Sequence, residues 1–234
     1  VRLRKIDLTM YVKAVPLLLR HPTVLVMPLL AAVVDLLISQ ISPYFTDPLG
    51  GLGGFIFGII VQLVYGFCFG VAVIGANNVW RSRRATFDEA WEEGRSKAGG
   101  ILIATIGFYF LVYAAGYIAS FLGGGILQIV LQLLVAFFLI YTIPAAAIGG
   151  MPGNFAIGAS FRAVRENVLG AAVLAIAFVL LWIEAPNLIM LHFGYSLSVV
   201  AYQLVLAAIR AIVLGYLAFP FAKQYDDVAF RGYW

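Results

Sequence analysis

Asp35, Glu184 and Arg210 are ionisable residues set inside long apolar stretches of a 234-residue chain. A charge at the middle of a bilayer costs at least ~2.5–3.5 kcal/mol on insertion scales, so such a residue is paired, hydrated or used. Arg210 lies about 11 residues, ~17 Å, from one end of its stretch, and Asp35 about 13 residues, ~20 Å, into its own from the same side. Glu184 sits somewhat further out, within reach of a long guanidinium. Two readings stay open. Arg210 and Asp35 form a buried ion pair that fixes how the first and last apolar stretches meet, or Arg210, Asp35 and Glu184 line an intramembrane polar site for an anion, a lipid head group or a proton.

Catalytic chemistry has no comparable constellation. The sequence contains no H-E-x-x-H, no G-x-S-x-G and no glycine-rich phosphate loop beside a strand. One cysteine, Cys68, makes no intramolecular disulfide, and two histidines, His21 and His192, are too few for a conventional zinc site. Asp88, Glu89, Glu92 and Glu93 cluster beside Arg95 and Lys97, where helical i to i+4 pairing accounts for them. Asp226 and Asp227 read as a solvated tail. A non-enzyme with no metal and no cofactor is expected.

The elements that must position these residues follow from composition. The chain is 63% hydrophobic and 11% charged, with a mean hydropathy of +1.01; a soluble domain carries about 25% charged residues. An all-α integral membrane protein is expected. Six apolar stretches, at about 22–41, 54–76, 99–120, 126–148, 168–190 and 197–221, each reach the ~20 residues that cross a bilayer. The connections Ser42–Gly51, Gly123–Gly125 and His192–Ser196 are turn-rich and hold no Lys or Arg. Every basic residue except Arg210 falls on the other side, so the positive-inside rule puts both termini in the cytoplasm. The net charge of +4 thus reflects topology, and nucleic acid is not expected as a partner. Pro28 and Asp35 in the first stretch, with no A-x-A-like site after it, argue against a signal peptide. Val1 reads as a literally translated GTG start, with the chain expected to be complete.

An internal repeat is also expected. Leu8, Tyr11, Val12, Val15 and Leu19 share one helical face before the first span; Phe87, Ala90, Trp91, Gly94 and Ala98 do so before the third, with Thr86 and Glu89 as a capping box. Ile157, Phe161, Val164 and Val168 repeat the spacing before the fifth span, with Asn154 as cap. Aligning Ala14, Ala90 and Ala163 predicts six transmembrane helices as three hairpins, each preceded by a cytoplasmic interfacial amphipathic helix. The units run at about 8–76, 86–148 and 154–221 of a single membrane domain, followed by a short cytoplasmic tail, 222–234. Gly66-x-x-x-Gly70 and Gly116-x-x-x-Ser120 predict close helix approach, within the chain or toward a partner, and Gln62, Gln128, Gln132 and Gln203 predict interhelical hydrogen bonds. Pro28, Pro144, Pro186 and Pro220 are expected to bend or end spans.

Phe87-x-x-Ala90-Trp91, His21-Pro22, the run Ile143-Pro144-Ala145-Ala146-Ala147 and Ala159-Ser160-Phe161-Arg162-Ala163-Val164-Arg165-Glu166-Asn167 carry a resemblance. The chain resembles uncharacterised six-helix bacterial inner-membrane protein families and is similar to the membrane domain attached to some glycerophosphodiester phosphodiesterases. No segment is large or polar enough to form a phosphodiesterase barrel. The resemblance implies a fold and a bacterial inner-membrane location, and no activity.

These features first suggest a non-catalytic scaffold or accessory subunit contacting lipid and other membrane proteins, as part of a complex or a homo-oligomer. The alternative is a small transporter or channel built on Arg210, which a water-filled cavity reaching that residue would favour. Arg81, Arg83, Arg84, Arg162 and Arg165 are the expected contacts to anionic lipid head groups, at ~1 kcal/mol each near the surface. Neutralising Arg81, Arg83 and Arg84 together is expected to abolish selectivity for anionic liposomes in a flotation assay.

Overall fold

A computed structural model describes the backbone of residues 8–49, 51–82, 86–193 and 198–230. Among them every regular element is helical. They are α1 (Thr9–Arg20), α2 (Val26–Leu49), α3 (Gly51–Ser82), α4 (Phe87–Ser96), α5 (Ala98–Phe121), α6 (Ile126–Leu139), α7 (Thr142–Ala147), α8 (Gly153–Glu166), α9 (Val168–Phe178), α10 (Ala185–Phe193) and α11 (Val199–Ala229). Pro22–Leu25 forms a 3-10 turn before α2, and Val179–Glu184 a π-helical segment between α9 and α10.

Five stretches, Pro22–Ile41, Ile56–Ser82, Ala98–Phe121, Ile126–Ala147 and Val200–Ala229, are long and apolar enough to cross a membrane. A sixth span results if α8 and the segment from α9 to Glu184 count as one element, although the chain bends by 118° between them. Large apolar side chains stay exposed on the outer faces: Leu29, Val33 and Leu37 on α2, Ile103, Ile106 and Phe110 on α5. Hydrocarbon, not water, suits such a surface.

Local sequence explains where the helices break. Gly123, Gly124 and Gly125 have φ of 119°, 64° and 59° in succession, a left-handed run that side chains with a Cβ resist, and the turn between α5 and α6 depends on it. Pro144 carries no N–H, so the Ile140 carbonyl loses its helical donor and the ladder opens at Tyr141. Ser160 repairs the opening: its hydroxyl accepts from the Tyr141 N–H at 3.1 Å and donates to the Phe138 carbonyl at 2.8 Å. In α9, the Asn167 side chain caps the N-terminus by accepting from the Gly170 N–H at 3.0 Å.

Small residues and aromatic rings bring the helices together. Phe69 of α3, Phe221 of α11, Phe178 of α9 and Phe108 of α5 form a chain of edge-on contacts with centroids 5.1–6.2 Å apart. Gly66 and Gly70 face Thr105 and Ile101 on α5, so this small-residue pair packs α3 and α5 of the same chain. Gly116 faces the Gln132 side chain across the α5–α6 hairpin.

Several expectations are corrected. The first connection is not a loop from Ser42: α2 continues to Leu49 and α3 starts at Gly51, because an apolar environment favours keeping backbone bonds inside the helix even across Pro43 and Pro48. His192 and Phe193 of the third connection belong to α10, and its residues 194–196 lie outside the described residues. Residues 222–229 are not a tail; they complete α11. Asp226 is buried and ion-paired to Arg81, and Asp227 pairs with Lys223 one turn back, so neither is simply solvated. The Thr86 hydroxyl makes no capping bond, although α4 begins at the next residue. Asn154 falls inside the first turn of α8, which Pro152 precedes as cap. The face of α1 turned inward is Met10, Ala14 and Leu18, while Leu8, Val12, Val15 and Leu19 point out; α8 likewise buries Ala156, Ala159, Ser160 and Ala163 and leaves Phe161 exposed. Alanines share these buried faces with Met10 and Leu18 on α1 and with Val164 on α8, which is buried as expected.

A Cβ on Gly66 would lie 2.0 Å from the Thr105 Cγ2, whereas one on Gly58 would meet nothing within 4 Å. Gly66→Ala is expected to cost ~1–3 kcal/mol through overpacking, read as a lowered melting temperature in detergent. Gly58→Ala should leave it unchanged, and Thr105→Ala should recover part of the loss.

Candidate functional site

The site is built from the helix interior outward. Arg210, on α11, donates from Nη1 to Asp35 Oδ2 of α2 at 2.5 Å. The Tyr65 hydroxyl of α3 donates to the same oxygen at 2.9 Å, and the Arg210 guanidinium lies 5.9 Å from the Tyr65 ring centroid. Tyr65 in turn meets Trp182 of the π-helical segment edge-on at 4.9 Å. Three long helices and the π turn therefore converge on one guanidinium. Such a pair answers the desolvation of both charges only when its hydrogen bonds are well made, and the shared Asp35 oxygen with its two donors meets that condition.

The other side of Arg210 is open. A cavity of about 350 Å³ lies between the α5–α6 hairpin and the π-helical segment, with Arg210 on its wall. Tyr113, Tyr117 and Ser120 of α5, Gln128 and Gln132 of α6, and Trp182 and Pro186 complete it. Gln132 is about 9 Å from the start of α6 at 1.5 Å per residue, and Ser120 is in the last turn of α5. The cavity thus runs from Arg210 toward the end of the bundle that carries the Gly123–Gly125 turn.

Polar groups continue behind its wall. Gln62 donates from Nε2 to the Tyr113 hydroxyl at 3.3 Å, and Tyr113 stacks on Tyr109 at 6.1 Å. The Tyr109 hydroxyl, the Gln62 Oε1 and the Gln132 Oε1 are buried with no hydrogen-bond partner among the described residues. Of these three residues only Gln132 lines the cavity, and Tyr11, Asn77 and Thr142 carry buried polar atoms of the same kind elsewhere in the bundle. The π turn at Val179–Glu184 contributes Trp182 and Ile183 to the wall; segments of this kind are frequent at functional sites because the extra residue per turn shifts which side chains face inward.

Of the intramembrane residues singled out from the sequence, Arg210 and Asp35 meet and Glu184 does not join them. Glu184 ends the π turn, half-buried, without a hydrogen bond or ion pair among the described residues. Gln203 accepts from Gln40 Nε2 at 2.6 Å, the interhelical bond expected of it. Gln128 and Gln132 instead face the cavity. Tyr65, Tyr113 and Trp182 were not legible as site residues, although a tyrosine at mid-span, away from both interfacial belts, is the signal that Tyr65 and Tyr113 carry.

The basic residues at the other end have separate fates. Arg81 is held by Asp226 through Nε at 3.1 Å and Nη2 at 2.5 Å, with the Phe230 ring 5.3 Å away. Arg162 and Arg165 are exposed on α8. Arg83 and Arg84 lie outside the described residues. Lys97 bridges Glu93 at 2.5 Å and the Ala147 carbonyl at 2.8 Å, tying α4 to the C-terminal end of α7. In α1, burial raises the Tyr11 hydroxyl above its ordinary pKa, with Tyr216 adding to the shift, so it stays neutral near pH 7. Among the described residues no group of three or more His, Cys, Asp or Glu is placed to hold a metal ion.

Breaking one partner of a buried pair costs ~3–5 kcal/mol. Asp35→Arg and Arg210→Asp are each expected to lower the yield of folded protein on size exclusion, and the double exchange to recover it in part; a double variant no better than either single one would rule out direct pairing. Comparison with protein-family models, curated proteins and solved structures finds no match to this chain.

Proposed function

We propose that this chain is a multi-pass membrane protein that binds a small anionic molecule inside the bilayer, at the Arg210 cavity, as a small transporter. The observation that carries the reading is the cavity itself: about 350 Å³ of space reaches a guanidinium near mid-span. A scaffold needs no such space. The scaffold role rests on lipid-facing apolar surface, which any membrane protein has, and it therefore takes second place.

The guanidinium supports anion binding because Arg carries five N–H donors, more than its contacts with Asp35 and the neighbouring Tyr65 hydroxyl engage. Asp35 offsets the charge of the guanidinium and Tyr65 orients the carboxylate, which together keep Arg210 from leaving for the interface. The π turn and Pro186 on the opposite wall give that wall a means of shifting register, as a transporter requires.

The setting we propose is a bacterial inner membrane, with both termini and the helices α1, α4 and α8 on the cytoplasmic side. There Arg81, Arg83, Arg84, Arg162 and Arg165 contact anionic lipid, and the three helices each open one of three repeated hairpin units. The cavity then faces away from the cytoplasm. The likeness to six-helix inner-membrane families and to phosphodiesterase-attached membrane domains belongs to the same proposal. So does association with a copy of itself or another membrane protein.

The test uses charged thiol reagents on Gln128→Cys in a Cys68→Ala background. A sulfonate-bearing methanethiosulfonate is expected to react about tenfold faster than its trimethylammonium counterpart, and Arg210→Gln should remove that preference. No preference, or one that Arg210→Gln leaves unchanged, refutes an anion site. If neither reagent reacts while the exposed control Leu122→Cys does, the cavity is closed and the scaffold reading replaces this one.

A further inference from the structure

Where the Arg210 cavity opens decides how its occupant arrives. Its inner wall is closed, since Trp182 is only 5% exposed and Pro186 is buried. At the other end Tyr117, which also lines the cavity, is 70% exposed, and Ser120 is exposed beside it. Tyr117 lies four residues, ~6 Å, before the end of α5, so the mouth begins below the Gly123–Gly125 turn. Among the described residues α10 packs on α11 and the π turn rather than on the α5–α6 hairpin. The mouth therefore lies between the hairpin and α10.

The surface around this mouth suits hydrocarbon. Residues 98–139, both helices of the hairpin and their turn, hold no charged residue. Phe121, Leu122, Ile126 and Leu127 are exposed at the tip of the hairpin, and Leu188 is exposed on α10. Sites that gather ions from water carry charge around the entrance, which steers them in; an exposed apolar rim instead marks contact with lipid or protein. The cavity, about 350 Å³, is at the small end of ligand sites, which reach roughly 1,000 Å³. It takes a head group. Acyl chains, each spanning half of the ~30 Å hydrocarbon core, stay outside it in the bilayer. Resting on the anion site just proposed, we infer that the occupant is an anionic amphiphile that enters sideways from the leaflet, its phosphate or carboxylate against Arg210 and its chains leaving past Tyr117.

A bimane probe at the mouth tests the route. The full chain carrying Cys68→Ala and Tyr117→Cys is labelled at the introduced thiol and reconstituted in phosphatidylcholine vesicles. Phosphatidate and phosphatidylcholine brominated at the same chain positions serve as quenchers at equal mole fraction. Brominated phosphatidate is expected to quench at least about threefold more than brominated phosphatidylcholine, because the guanidinium holds its chains beside the probe. Exchanging the buried pair for neutral groups, Asp35→Asn together with Arg210→Gln, leaves no lone charge at mid-span and should make the two quenchers equal. Arg210→Lys, which keeps the charge, should retain the excess in part.

Retention of radiolabelled glycerol phosphate, which has the head group and no chain, separates this inference from the anion site. Equal quenching by the two lipids, with glycerol phosphate retained by the unaltered chain and lost from the neutral pair, overturns the amphiphile and leaves an anion site served from water. An excess that survives the neutral pair overturns Arg210 as the group that holds the lipid. Equal quenching with no retention of glycerol phosphate removes the inference and the anion site together.

Discussion

A guanidinium and a carboxylate at mid-span must be satisfied without bulk water, and most of the architecture around α11 follows from that demand. Arg210 meets Asp35 only if α11 packs along α2, and the Tyr65 hydroxyl reaches the same oxygen only if α3 closes the third side. The same geometry sets Tyr65 against Trp182 and so fixes the π turn against the other helices. Neutral packing would leave these helices free to slide along one another, because lipid tails compete with apolar side chains for every contact. A charged pair has one register, and sliding by a turn would separate it.

Close approach elsewhere depends on small residues. Gly66 and Gly70 admit Thr105 and Ile101, Gly215 admits Leu25, and Gly116 admits the Gln132 amide. In the first three cases the glycine lets dispersion contacts replace a gap, which is the principal source of helix association in hydrocarbon. At Gly116 the result is different. The space admits a polar side chain, whose amide packs over the glycine.

Ion pairs join the helices at one end of the bundle. At the end where Arg81 meets Asp226 and Lys97 meets Glu93 and Ala147, each charge has a nearby partner and the arrangement ties helix ends together. Buried polar atoms without a partner among the described residues occur both near the cavity, on Gln62, Tyr109 and Gln132, and away from it, on Tyr11, Asn77 and Thr142, and each costs some stability.

Composition and patterning alone determined that this chain is helical with stretches able to cross a membrane, because the length and hydropathy needed to span hydrocarbon are local properties. The pairing of Arg210 with Asp35 was legible as one of two open readings, since the two unlike charges lie at one depth. Local signals were weaker guides to helix ends: Pro43 and Pro48 did not stop α2, and the DD pair at 226–227 did not begin a tail. The cavity was decided by tertiary structure alone. Its walls come from α5, α6, the π turn and α11, and whether Gln132, Trp182 and Arg210 face one another depends on helix rotation and on the extra residue of the π turn, neither of which a hydrophobic pattern encodes. Depth along the bilayer normal can be counted residue by residue, but rotation about a helix axis is set by which neighbours it meets.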